Sequence, residues 1–135
     1  AHDEVTVGMR DIYRRRRDLV VAGLSACPGI KVQAPQAGMF VLVDVRGTGL
    51  GSLDFAWRLF REAGVSVLDA AAFGEPAQGF VRLSFTLGEA RLAEACQRIA
   101  GFVAKLAGEP RVAPTPKIEV LAPVGARKMI EVIDL

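Results

Sequence analysis

The sequence predicts a compact α/β module with a small sheet, in the order helix, strands, helix, strand, strand, helix. Three observations carry that prediction. Helical periodicity of apolar residues recurs over about residues 3–26, 52–63 and 89–107. Two apolar runs, Met39–Val45 and Gly79–Phe85, are rich in strand formers. Breaks bearing glycine or proline separate the segments.

Taken in order, residues 3–26 read as a long helix whose stripe is Val5, Met9, Ile12, Leu19, Val20 and Leu24. Cys27-Pro28-Gly29 stops it, because proline disfavours helical geometry in the residue before it. The run Arg14–Arg17 has the composition of a nucleic-acid or localisation patch. On a helix, however, successive residues fan out by ~100°, so the four do not share a face and read as solvated surface. Lys31–Ala34 is a short extended piece, and Met39–Val45 reads as a strand covered on both faces. Gly38, just before it, is expected to serve close backbone packing. The glycine-rich Arg46–Gly51 lacks a P-loop lysine and the dinucleotide spacing, which leaves a plain connection.

Ser52 is placed to cap the next helix. That helix is expected to bury Leu53, Ala56, Trp57, Phe60 and Ala63, to pair Asp54 with Arg58 across one turn, and to end at Gly64. Val65–Leu68 reads as one short buried strand, and residues 69–78 as an irregular loop containing Phe73-Gly74 and Pro76. Thr86 and Glu89 have capping-box spacing ahead of a third helix, whose aligned Leu92, Cys96, Ile99, Val103 and Leu106 run to a close at Gly108. Beyond it, Pro110, Pro114 and Pro116 give the composition of an extended linker. Ile118–Leu121 and Ile130–Ile133 are near-copies that read as two short strands, the second a candidate added sheet edge.

Bulk properties narrow the function. The chain has 135 residues, 51% of them hydrophobic, enough for one core. A net charge of +2 is too small an excess to argue for nucleic acid or an anionic membrane. No window approaches the ~20 apolar residues of a spanning helix, and the N-terminus lacks the basic flank and apolar run of a signal peptide. A start at Ala1, already within a helical pattern, is what a segment cut from something larger would show. Cys27 and Cys96 read as small buried hydrophobes, and the single histidine, His2, stands near a terminus. No metal-ligand spacing results, and a reducing, cytoplasmic setting is expected.

The candidate functional residue is Arg82, in the middle of Gly79-Phe80-Val81-Arg82-Leu83-Ser84-Phe85. Alternation puts Val81, Leu83 and Phe85 on a core face, and Phe80, Arg82 and Ser84 on the other. A guanidinium presents a planar fork of N–H donors that suits a carboxylate or phosphate. The plain alternative is a solvated arginine on the open face of a half-buried strand.

Together these segments resemble the C-terminal small domain of class I/II aminotransferases, the fold type I enzymes dependent on pyridoxal phosphate. The resemblance covers about residues 5–107. It rests on Tyr13 followed by Arg16-Arg17-Asp18-Leu19; Pro28-Gly29-Ile30; Pro35, Gly38, Met39 and Phe40; the passage 55–67; Ala72-Phe73-Gly74; and Val81-Arg82-Leu83-Ser84-Phe85. Val67–Gly74 also resembles the bacterial arginine–pyruvate transaminase branch. The resemblance implies a short, mainly antiparallel sheet packed against helices and preceded by a connecting helix. It implies a connecting helix (1–27) and the small domain (28–108); the Pro-rich linker (109–117), read from composition, and the tail (118–135) depart from the family, whose domain is normally finished by the third helix.

It further implies that Arg82 binds the α-carboxylate of an amino acid or 2-oxo acid, with Phe73 and Gly74 shaping the adjacent loop. Many relatives have Pro-Gly where this chain has Asp69-Ala70, so the loop need not follow their course; Asp69 is either an ordinary polar loop residue or a contributor to side-chain selection. The Schiff-base lysine, the acid facing the pyridinium nitrogen and the phosphate cup lie upstream in the family's large domain. Lys31, Lys105, Lys117 and Lys128 read as surface. This chain alone is therefore expected to carry no catalytic residue and to bind no cofactor, with pyridoxal phosphate belonging to the intact enzyme. The implied partners are the missing large domain and a second subunit of a homodimer. The alternative from another class is a non-catalytic α/β binding or interaction module derived from the same domain.

Overall fold

A computed structural model describes residues 2–110 and 132–135. Helix α1 (His2–Ser25) is followed by strands β1 (Lys31–Val32) and β2 (Phe40–Asp44), helix α2 (Ser52–Ala63), and strands β3 (Val65–Ser66) and β4 (Leu68–Asp69). Strand β5 (Phe80–Ser84), helix α3 (Glu89–Ala107) and strand β6 (Ile133–Asp134) complete it. One sheet has the order β1-β2-β5-β4 and is antiparallel throughout; β3 and β6 form a separate parallel pair.

The core lies between one face of the larger sheet and the helices. Val41 and Val43 of β2, Val81 and Leu83 of β5, and Phe85 just past β5 supply the sheet side. Val20 and Leu24 of α1, Phe55 and Leu59 of α2, and Leu92, Ile99, Phe102 and Val103 of α3 supply the other. Phe55 meets Phe102 edge to face at 5.3 Å, which joins α2 to α3. The apolar pattern of α3 is buried as its periodicity predicts. In α1 the stripe holds only in its second half. Val20 and Leu24 are buried, whereas Val5 and Met9 are exposed because the first turns run past the core.

Several local expectations are corrected. Helix α2 buries Ser52, Phe55, Ala56 and Leu59, and leaves Leu53, Trp57 and Phe60 partly exposed. Its sequence is apolar over two adjacent stripes, and the one facing Phe102 goes inside. Gly51 caps the helix in place of Ser52, its carbonyl accepting from the Phe55 N–H at 2.9 Å. Gly88 likewise caps α3 without a capping box. The Thr86 hydroxyl is engaged with Ser84, and Glu89 pairs with Arg15. Arg58 turns from Asp54 to grip Glu109 through two N–H donors at 3.1 Å, and Glu62 at 2.8 Å. A bidentate fork outcompetes a single exposed pair one helical turn away.

Two further corrections concern strands. Val65–Leu68 is not one strand: Val65–Ser66 pairs with β6, and Leu68–Asp69 crosses to the edge of the larger sheet beside β5. The β2 strand is covered on one face only, leaving Phe40 and Leu42 on the open side. Gly38 is also misread as a packing residue. A Cβ there would meet nothing within 4 Å, and its φ of +87° is what calls for glycine.

Of the two tail segments, Ile118–Leu121 lies outside the described residues. Of the other, Ile130–Ile133, residues 130 and 131 also lie outside the described residues; Ile133 opens β6, is 1% exposed and donates its N–H to the Gly64 carbonyl at 2.6 Å. Ile133→Ala is therefore expected to cost about 2–4 kcal/mol, as large-to-small core changes do, measured by urea denaturation of the full chain. An unchanged midpoint would mean that the tail is not part of the core.

Candidate functional site

The open face of the larger sheet is where the chemistry gathers. Register sets Arg82 directly opposite Leu42 on β2 and Leu68 on β4, so the three side chains form a row across the face. Leu42 and Leu68 are 45% and 48% exposed, and Phe40, diagonal to Arg82, is 41% exposed. Between β4 and β5 a 3₁₀ turn, Ala70–Phe73, brings Phe73 back over the same spot. Gly74 follows it at φ +117°, a conformation that lets the chain turn away at once and that a side chain would strain.

Half-buried Arg82 thus sits in an apolar collar. Its guanidinium carbon lies 4.2 Å from the centroid of the Phe40 ring and 5.2 Å from that of Phe73. Both distances are within cation–π range, each contact contributing about 0.5–1 kcal/mol at a partly exposed site. Among the described residues no carboxylate lies within salt-bridge distance of it. Other arginines are already committed: Arg46 to Asp44 at 2.8 Å, Arg58 to Glu62 and Glu109, and Arg98 to Glu94 at 2.7 Å. Rings hold Arg82 in place without consuming its N–H donors.

The neighbours on that face do not compete for the role. The Ser84 hydroxyl is engaged with Thr86 Oγ1 at 2.9 Å, and the Phe80 ring carries Arg46 at 5.3 Å. Hydrogen bonding to Arg46 holds the Asp44 carboxyl below its ordinary range, so its charge is spent locally. Asp69 is on the other face. Its Oδ1 accepts from the Ser52 hydroxyl at 2.7 Å and from the Ala71 N–H at 3.1 Å, capping the turn that carries Phe73.

Sequence reasoning picked out Arg82, Phe73 and Gly74, which the fold brings to one corner of the sheet. It did not link Phe40, Leu42 or Leu68 to Arg82. Alternation was available as a signal, but it needs the register between strands, and that is a long-range property.

A family model for aminotransferase class I and II matches residues 2–99. The chain belongs to the class I and II aminotransferase family. It is 52% identical over 101 residues to an arginine–pyruvate transaminase of Pseudomonas aeruginosa, covering 75% of this chain and 26% of that protein. With an LL-diaminopimelate aminotransferase of Nitratidesulfovibrio vulgaris it shares 43% identity over 98 residues, 73% of this chain and 25% of the other. In structure it resembles an aromatic aminotransferase from Pyrococcus horikoshii, with a TM-score of 0.72 and 31% identity over 76% of this chain and 27% of that one. Aspartate aminotransferase from Thermus thermophilus, solved with maleate, gives 0.64 and 39% over 73% and 25%. The chain spans about a quarter of the length of these aminotransferases.

Pyridoxal phosphate is the cofactor that this aminotransferase family implies, and the described residues do not make a seat for its aldehyde. Lys105 is paired with Glu62 at 2.8 Å, between α3 and α2. Lys31 stands opposite Asp44 on the outermost strand, two strands from Arg82. Lys117 and Lys128 lie outside the described residues. Among the described residues no group of three or more His, Cys, Asp or Glu is placed to hold a metal ion, and no helix is long and apolar enough to cross a membrane.

Cys96 does not offer a nucleophile. Burial, with Cys27 adding to it, pushes the Cys96 thiol up to about 11, and burial also raises Cys27. At pH 8 Cys96 is therefore a protonated, inaccessible thiol. In the folded chain Ellman's reagent is expected to modify the half-buried Cys27 first and Cys96 only after denaturant is added. Equal rates at both thiols in buffer would contradict the burial of Cys96.

Proposed function

We propose that this chain is the substrate-carboxylate-binding C-terminal part of an amino-acid aminotransferase, an enzyme moving an amino group between an amino acid and a 2-oxo acid. Arg82 is the anchor for the α-carboxylate, and Phe73 and Gly74 shape the loop beside it. The observation that carries this reading is a guanidinium steadied over two aromatic rings with no carboxylate of the described chain to neutralise it. A carboxylate meeting the fork edge-on gains two parallel charge-assisted hydrogen bonds, strengthened where apolar neighbours exclude water. Such a two-point grip fixes the orientation of the substrate as well as its position, which is what a reaction at the adjacent carbon requires.

The relative solved with maleate, a dicarboxylate, supports an anionic ligand. The similarity to an arginine–pyruvate transaminase supports pyruvate as the 2-oxo acid to try first. Pyridoxal phosphate supplies the electron sink of the chemistry in the intact enzyme; its lysine, its phosphate cup and a second subunit would come from outside this chain. The placement of Lys31 and Lys105 away from Arg82 is also what a non-catalytic module derived from the same domain would have, so the decisive test restores the rest of the enzyme.

In that test residues 2–99 replace the matching segment of the Pseudomonas aeruginosa transaminase. The chimera is expected to turn over, and Arg82→Lys in it to raise the KM for pyruvate by at least about tenfold, since lysine keeps the charge but loses the fork. An unchanged KM would remove Arg82 from the role of anchor. A folded chimera without activity would favour the non-catalytic module.

A further inference from the structure

The turn that carries Phe73 is held by a link on the far side of the sheet from Arg82. Ser52 opens α2 and is the only buried polar residue among those described, at 7% exposure. Its hydroxyl donates to Asp69 Oδ1 at 2.7 Å, and the same oxygen accepts the Ala71 N–H at 3.1 Å. Asp69 ends β4 opposite Val81, next to the Leu68–Arg82 pair. Alternation therefore turns its carboxylate away from Arg82 and towards the helix, where the partial positive charge of the α2 N-terminus also favours it.

The consequence runs through four residues. Ala70, which follows Asp69, is fully buried, so the start of the turn is pinned by packing as well as by the Asp69 cap. The end of the turn is not pinned in that way. Phe73 is 62% exposed, and its described ring contact is with the Arg82 guanidinium. Where that ring sits is decided by the path of the turn, and the path is decided by its first N–H and by what holds Asp69.

We propose that Ser52 and Asp69 are positioning residues for Arg82. Acting through the Ala70–Phe73 turn, they set Phe73 against the guanidinium and so fix the side from which a carboxylate reaches the N–H fork. The proposal rests on the reading of Arg82 as a carboxylate anchor. It goes further by tying the geometry of the anchor to a serine and an aspartate that never touch the ligand.

The test uses the full 135-residue chain labelled with ¹⁵N. The Arg82 Nε–Hε signal is assigned by its loss in Arg82→Lys, and ring currents from Phe40 and Phe73 make its shift report on where the rings sit. Asp69→Ala is expected to move that signal towards its position in Phe73→Ala, and the double variant to move it no further than Phe73→Ala alone. Asp69→Asn, which keeps an acceptor for both donors, should stay at the wild-type shift. Ser52→Ala should move the signal in the same direction by less.

Pyruvate, added as the carboxylate probe, should move the Arg82 signal in the wild type and bind about threefold to tenfold more weakly to Asp69→Ala, the effect of losing about one hydrogen bond's worth of order. Thermal melts place every measurement below unfolding, and if Asp69→Ala does not fold, Ser52→Ala and Asp69→Asn carry the comparison. A purely structural link would lower the melting temperature while leaving the Arg82 shift in place, and that result would overturn the proposal. A wild-type signal indifferent to pyruvate, with Asp69→Ala still displacing it, would instead sink the anchor reading and leave the positioning link standing.

Discussion

The antiparallel pairing of β2 with β5 is the constraint on which the rest of this molecule depends. Its register sets Leu42 against Arg82 and Val43 against Val81. Because side chains alternate along a strand, a slip by one residue on β5 would carry every core residue of that strand to the open face and drive Arg82 into the core. A buried guanidinium without a partner costs several kcal/mol, and Val81, Leu83 and Phe85 would lose their burial together. The register is thus enforced from both sides: by apolar residues that must go in and by one charge that must stay out. The charge that polices the fold is also the charge available to a ligand.

The open face departs from what water alone would select. Phe40, Leu42, Leu68 and Phe73 all surround Arg82, and all are substantially exposed. Scattered exposed apolar residues are ordinary, but four of them around one arginine form a patch with a polar centre. Such a collar weakens a guanidinium's access to water while offering it no anion. An incoming carboxylate then gains more from the fork than it would at an open surface, because fewer water molecules compete for the same donors.

The elements themselves were legible in the sequence, because helix periodicity, β-rich apolar runs and glycine or proline breaks are local. α3 shows this at its best, with the expected Leu92, Cys96, Ile99, Val103 and Leu106 all buried. The errors came where a local pattern admitted two solutions. Helix α2 has two adjacent apolar stripes, and the tertiary packing that includes Phe102 puts Phe55 inside and leaves Trp57 outside. Ser52 has the chemistry of a cap and spends its hydroxyl on Asp69, a partner seventeen residues away. The continuous apolar run at Met39–Val45 signalled burial on both faces; it has one buried face, and its other face furnishes the ring and the leucine beside Arg82. The arginine was visible in the sequence, and its collar was not, because the collar is assembled from two other strands and a turn.

The passage from Val65 to Asp69 joins these levels. In five residues the chain runs beside β6, crosses over, and becomes the edge of the larger sheet. The Gly64 carbonyl accepts the Ile133 N–H, the Ser66 carbonyl accepts the Leu135 N–H at 2.9 Å, and Ile133 fills the core beneath. Strand β6 lies beyond the residues that the family model matches, yet it holds the strand that leads directly into β4. With β3 held by β6 and Asp69 held by Ser52, the short β4 strand is fixed at both ends. A two-residue strand has little pairing energy of its own, so these flanking contacts are what keep Leu68 beside Arg82 and aim the following turn. The placement of Leu68 and of the turn beside Arg82 therefore originates in contacts on the opposite side of the sheet.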